Sequence, residues 1–158
     1  MKQSNITFLK ISTFIIGITI LSLCIFWLPV MATDAVVMYP EYTYLKFPIL
    51  IGLYFTAIPF FLALYQAWKL LHYIETENIF SEQSVMLLGQ IKNYAISIII
   101  LYVMGILLLV TQNALHPGIA LIGFTIMFVT LVISIFAAVL QGLLKSALQI
   151  KSENDLTV

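Results

Sequence analysis

The sequence predicts an all-α fold, an integral membrane four-helix bundle with both termini cytoplasmic. Three observations predict it. First, only 9% of the 158 residues are charged while 62% are hydrophobic, and mean hydropathy is +1.08. Soluble domains carry about 25% charged residues, so the apolar surplus here needs lipid as its solvent. Second, four long apolar runs lie near residues 11–31, 47–73, 94–112 and 118–144. Each is close to or above the roughly 20 residues of a membrane-crossing helix. Third, the lysines are lopsided. Lys2, Lys10, Lys69, Lys92, Lys145 and Lys151 fall on one side of the spans and only Lys46 on the other, which by the positive-inside rule puts the termini and the middle connection in the cytoplasm.

The whole chain, 1–158, is read as a single transmembrane domain, with a cytoplasmic elbow at 74–93 and a cytoplasmic tail at 145–158. The runs contain no acidic residue, and Lys69 is the one cation inside them. They lack the alternation of membrane β-strands. The first run is longer than the roughly 7–15 apolar residues of a cleaved signal and is read as a retained span. Its ILSLC is a poor lipidation motif, because Leu23 stands where a small residue belongs and the chain stays apolar after Cys24. A single cysteine cannot make an intrachain disulfide.

The first outer loop, TDAVVMYPEYTYLKFP, carries Tyr39, Tyr42 and Tyr44, with Trp27 and Phe47 beside it. This is the composition of an interfacial aromatic belt; the alternative is a lid or cup over a ligand. Pro48 opens the second run and Pro59 lies within it, where it removes a helix hydrogen bond. The elbow reads HYIETENIFSEQSVMLLGQIKNY. The second helix is expected to reach about Thr76, with a turn at ENIFS. Ser81 is a good N-cap, Phe80 and Val85 have the spacing of a hydrophobic staple, and Glu82 suits the helix dipole. Val85, Leu88, Ile91 and Ala95 then share a face running into the third span. Pro117 fits the first turn of the fourth helix, with His116 near its cap.

Thr130, Ser134, Ala138, Gly142 and Ser146 follow one another at four-residue intervals, and Ala63 and Ala67 form a shorter pair. Small residues at this spacing let helices approach closely in lipid. They serve either the bundle itself or a seam with a second copy, giving a homo-oligomer. The fourth helix is expected to outrun the bilayer and to end, through KSENDLTV, in a polar stub beside the elbow.

Several function classes lose support. No acid, His chain or Lys–Asp pair inside a span marks an ion path. No nucleophile–base set, phosphate loop or metal-binding signature is present. Arg is absent and no basic stripe occurs, so no direct nucleic-acid contact is expected. No cofactor and no metal site are expected, and the chain is read as a non-enzyme.

Two stretches carry a resemblance: YIETENIFSEQSVMLLGQIKNYA and the final ALQIKSENDLTV. They resemble the YoaS-like bacterial family of four-span membrane proteins, a domain of unknown function catalogued under the number two-nine-seven-five. The matching positions are Asn78, Phe80, Ser81, Ser84, Val85, Leu88, Ile91 and Lys92, together with Glu153 to Val158. The family is typical of Firmicutes and carries no assigned catalytic residues. The resemblance implies a partner of the small Cro/CI-type helix-turn-helix regulator class and a bacterial plasma-membrane, multi-pass location. The expected function is therefore a regulatory or interaction protein. Its candidate partner-binding residues are Phe80, Ser81, Val85, Glu153, Asp155 and Leu156. Its helix-packing residues are Ser134, Ala138, Gly142, Ala63 and Ala67. The alternative is an immunity or export protein for a peptide or small hydrophobic compound, using the outer tyrosines.

Overall fold

The computed structural model describes residues 3–156; Lys2, Thr157 and Val158, used in the sequence reading, lie outside the described residues. The fold is all-helical, and four helical rods are long and apolar enough to cross a membrane. The first rod is α1 (Gln3–Ser22), a π-helical turn at Leu23–Trp27, and α2 (Leu28–Met38). A 3-10 turn at Pro40–Leu45 leads into α3 (Lys46–Glu75). α4 (Glu82–Thr111) and α5 (Pro117–Leu156) complete the set.

Neighbouring rods are antiparallel, and the close packing follows chain order: α1 on α3, α3 on α4, α4 on α5. Both described ends of the chain therefore lie with the α3–α4 turn, at what we call the terminal end. The 3-10 turn and the α4–α5 turn lie at the opposite, turn end. α4 is the helix packed on two sides. Its buried residues are Ser84, Leu87, Leu88, Ala95 and Ile98, which shows the expected face centred between Ser84 and Ile98. Most large apolar side chains on the other rods are exposed, which is the surface that lipid would cover.

Two turns close by the same device. At the end of α3, Glu77 adopts φ 62°, its N–H donates to the Ile74 carbonyl, and the Asn78 N–H donates to the Tyr73 carbonyl at 2.8 Å. At the end of α4, Asn113 adopts φ 54°, with Asn113 donating to Val110 and Ala114 to Leu109. Both are left-handed caps that satisfy the last carbonyls of a helix. α5 begins at Pro117 as read, and the His116 ring nitrogen accepts the Gly118 N–H at 3.0 Å.

The first rod departs from the expected span-plus-loop. It stays helical through Met38, so the outer loop shrinks to Tyr39 and one 3-10 turn. It also widens in mid-span, and Pro29 is the physical reason. Proline has no N–H, and its ring clashes with the carbonyl four residues earlier. The chain responds with a five-residue bond, Leu28 N–H to the Leu23 carbonyl. That leaves the Cys24 carbonyl stranded, because its α-helical donor at Leu28 is taken and its π-helical donor would be Pro29. Tyr54 of α3 supplies the missing donor: its hydroxyl lies 2.7 Å from the Cys24 oxygen. An unmet carbonyl in hydrocarbon costs several kcal/mol, so this bond ties the two rods. Replacing Tyr54 by Phe is expected to lower the unfolding free energy in mixed micelles by about 1 kcal/mol. In a Pro29→Ala background, where the helix regains an N–H, the same replacement should be close to neutral; a double-mutant cycle followed by circular dichroism measures the difference.

Candidate functional site at the terminal end

The elbow is built as its sequence suggests. Ser81 is extended (φ −146°, ψ 158°), and its hydroxyl oxygen accepts the Ser84 N–H at 3.3 Å. Ser84, the third residue of the new helix, is fully buried, with its hydroxyl 3.2 Å from that of Ser81. This burial was not legible from the cap pattern alone. Phe80 is 54% exposed and Val85 is half-buried.

α5 spans 40 residues, about 60 Å at 1.5 Å per residue, twice a hydrocarbon core of about 30 Å. The tail is helical to Leu156 and not an irregular cap. Its last turns run beside the start of α4 and form an open groove of about 520 Å³ whose lining includes Glu82, Leu148, Lys151, Ser152, Asp155 and Leu156. Of the sequence-predicted residues, Asp155 and Leu156 line this groove. Glu153 is exposed on the same helix but does not line it, and Phe80, Ser81 and Val85 stand on the elbow outside it. Leu148, Lys151 and Glu82 were missed. Leu148, Ser152 and Asp155 have helical same-face spacing, a signal that appears once the helix is carried on to Leu156.

The α4–α5 contact under the groove has a specific lock. Gln141 donates its side-chain N–H to the Val85 carbonyl at 3.1 Å. Gly89 makes room for it: a Cβ there would sit 2.6 Å from the Gln141 Nε2. The four-residue ladder does not follow this contact. Ser134 is buried towards α4, but Ala138 is exposed and Gly142 faces open space. The reason is geometric: a strict four-residue step advances about 40° around the helix each time, so the ladder winds off the face it starts on. The α4-facing stripe is Gly123, Ser134, Ala137, Gln141 and Leu144. Ala63 and Ala67 are half-buried on α3. Replacing Gly89 by Ala is expected to push Gln141 off the Val85 carbonyl and cost about 1 kcal/mol in micelle unfolding. In a Gln141→Ala chain it should instead stabilise by roughly the 1 kcal/mol of helix propensity.

α1 is held at the same end by an ion pair between the Lys10 ammonium and the Glu75 carboxylate. Lys10 also lies 5.6 Å above the Trp68 ring, which in turn packs on Phe14. The hydrogen bond from Lys10, its charge, and that of His72 hold the Glu75 carboxyl below its ordinary value of 4.5. A lowered folded-state value means that the pair stabilises above the ordinary carboxyl range, and that this contribution disappears as pH falls through the lowered value. In a Cys24→Ser chain, the distance between spin labels on cysteines placed at Thr7 and Thr76 is therefore expected to lengthen as pH drops below about 4.5. Glu75→Gln should remove that pH response.

Polar side chains within the rods mostly bond to their own helix. Ser97 donates to Asn93 and Thr125 to Leu121, whereas the Gln66 Oε1 is buried without a hydrogen-bond partner among the described residues. At the turn end, the Tyr42 hydroxyl donates to the Asn113 carbonyl at 2.7 Å, and that of Tyr44 to the Gln112 side-chain oxygen at 2.9 Å. Among the described residues no three His, Cys, Asp or Glu side chains gather as a metal site requires.

The family described as "Protein of unknown function (DUF2975)" matches residues 30–158. The chain belongs to that family. It is also 49% identical over 160 residues to the "Uncharacterized membrane protein YoaS" of Bacillus subtilis (strain 168), with all of both chains covered. No solved structure matches it. Membership of DUF2975 and the four apolar rods make this a polytopic membrane protein.

Proposed function

We propose that this DUF2975 member is a non-enzymatic regulatory protein of the bacterial plasma membrane that docks a cytoplasmic partner at its terminal end. The observation that carries this reading is the groove between α4 and the overshooting end of α5. It combines charges of both signs, Glu82, Lys151 and Asp155, with apolar Leu148 and Leu156. Leu156 is 82% exposed, beyond the reach of the hydrocarbon core. An isolated leucine on a polar helix end lacks a core of its own, and an apolar anchor with a charged rim is the usual make-up of a protein contact.

Orientation supports a cytoplasmic location. Lys10, Lys69, Lys92, Lys145 and Lys151 all sit towards the terminal end, with Lys46 at the other. The relation to small helix-turn-helix regulators rests on resemblance at the family level. The immunity or export reading loses two of its three tyrosine hydroxyls, because those of Tyr42 and Tyr44 are engaged by Asn113 and Gln112, and retains the exposed Tyr39.

The test is in-cell photocrosslinking from position 148 or 156. A discrete adduct with one soluble protein is expected, and Glu82→Lys or Leu156→Glu should reduce it at least tenfold without changing membrane insertion. An adduct pattern unaffected by either replacement, or labelling of a cysteine at 151 by an impermeant maleimide in intact cells carrying Cys24→Ser, would overturn the reading.

A further inference from the structure

On the other flank of the elbow, between the end of α3 and the start of α4, lies a second, smaller groove of about 240 Å³. It is lined by Lys69, His72, Tyr73, Gln83, Met86 and Leu87. We propose that this groove is a binding site for the headgroup of an anionic phospholipid.

The lining divides by chemistry and by depth. Lys69, His72, Tyr73 and Gln83 supply hydrogen-bond donors or positive charge, while Met86 and Leu87 supply an apolar wall. The Lys69 ammonium lies 4.8 Å over the ring of the exposed Tyr65, one turn nearer the bilayer centre. A lysine lying over an exposed aromatic ring with its charge at the membrane surface is the arrangement by which such residues snorkel. The nearby acid does not cancel this charge: Glu75 is paired with Lys10, although His72 also acts on it. Glu82 lines the opposite groove instead.

The size fits a headgroup. Sites for drug-sized ligands run from about 300 to 1,000 Å³, and this groove is smaller and sits at the membrane surface. A phospholipid would place only its phosphate and polar cap there and leave its chains along α3 beside Tyr65. Basic pockets between membrane helices on the cytoplasmic side recognise anionic headgroups through the same chemistry. A soluble phosphate compound shares the headgroup's charge but gains nothing from the apolar wall, and this favours the lipid.

The experiment uses the full chain with Trp27→Phe, so that Trp68 reports alone, reconstituted in phosphatidylcholine vesicles containing brominated phosphatidylglycerol or brominated phosphatidylcholine. Quenching of Trp68 should show a preference for phosphatidylglycerol of roughly fivefold, the scale of one lysine near an anionic surface. Lys69→Gln with His72→Gln should bring the ratio to about one, while Lys145→Gln with Lys151→Gln, an equal reduction in cationic residues elsewhere at this end, should leave it standing. Equal quenching by the two lipids, equal loss in both double variants, or removal of the preference by inorganic phosphate at constant ionic strength would each overturn the assignment. If the Lys69 variant does not fold, a cysteine at Gln83 carrying a spin label gives the same ratio in the native background, by paramagnetic relaxation of phosphatidylglycerol against phosphatidylcholine headgroups.

Discussion

Hydrocarbon offers a polypeptide no hydrogen bonds, so every backbone carbonyl that loses its helical donor must find another inside the protein. Most of what distinguishes this molecule from four generic greasy rods answers that constraint. Pro29 removes a donor in mid-span; the helix opens by one residue, and Tyr54 crosses from α3 to meet the stranded Cys24 oxygen. Both interhelical caps, at Glu77 and Asn113, place a non-glycine residue in the left-handed region because doing so pairs the final carbonyls of α3 and α4. Gln141 uses the spare lone pair of the Val85 carbonyl to join two helices without unpairing either.

Polar pairing rather than apolar burial also decides which helices are neighbours. Lipid tails are as apolar as leucine, so burying leucine between rods gives little net drive in a membrane. Helices are selected by close fit and by polar contacts across the interface. α4 satisfies both conditions. Its buried face holds small Ser84 and Ala95 among Leu87, Leu88 and Ile98, and it receives Gln141 from α5. α1 has fewer close approaches, and the polar contacts that hold it are the Tyr54 bond in mid-span and the Lys10–Glu75 pair at the terminal end.

Much of this was legible in the sequence wherever one residue type dictates a local conformation. The number and rough extent of the rods, the Ser81 cap, the turn after Thr76, the start of α5 at Pro117 and the role of His116 all rest on short-range rules, and the structure agrees with them. What escaped depended on two distant residues at once. Pro29 alone signals a disturbed helix, but the π-turn needs Tyr54, thirty residues beyond the Cys24 carbonyl that it meets. The outer tyrosines read as a belt, yet Tyr42 and Tyr44 reach the α4–α5 turn some seventy residues away. Of the packing residues read on the small-residue ladder, Ser134 lies on the α4 contact while Ala138 and Gly142 do not, since a repeat of four drifts against a turn of about 3.6 residues. In the site itself, Asp155 and Leu156 were found because the tail was conspicuous. Leu148 and Lys151 were not, because their place in the groove shows only when the tail is continued as helix to Leu156 and set beside Glu82.

The two ends of the molecule differ in a way that bears on function. At the turn end, loops are short and two tyrosine hydroxyls bind them together. At the terminal end, α5 runs on as one helix for 12 residues from Lys145 to Leu156, with Glu82 of α4 beside its last turns. A free peptide of that length is only marginally helical in water, because nucleation is costly. Here nucleation has already occurred inside the membrane, and the helix needs only to propagate outward. A partner of the proposed kind, seated in the α4–α5 groove, would therefore meet a helix that is already formed, and little ordering entropy would be lost on binding. The same continuity gives the contact a mechanical route. A force or rotation applied at Leu156 passes along one unbroken helix to Leu144 and Gln141, and through Gln141 to the backbone of α4. The proposed docking surface at the tip and the α4 contact at Gln141 thus lie on one unbroken helix, the two-ended element that a coupling between them would need.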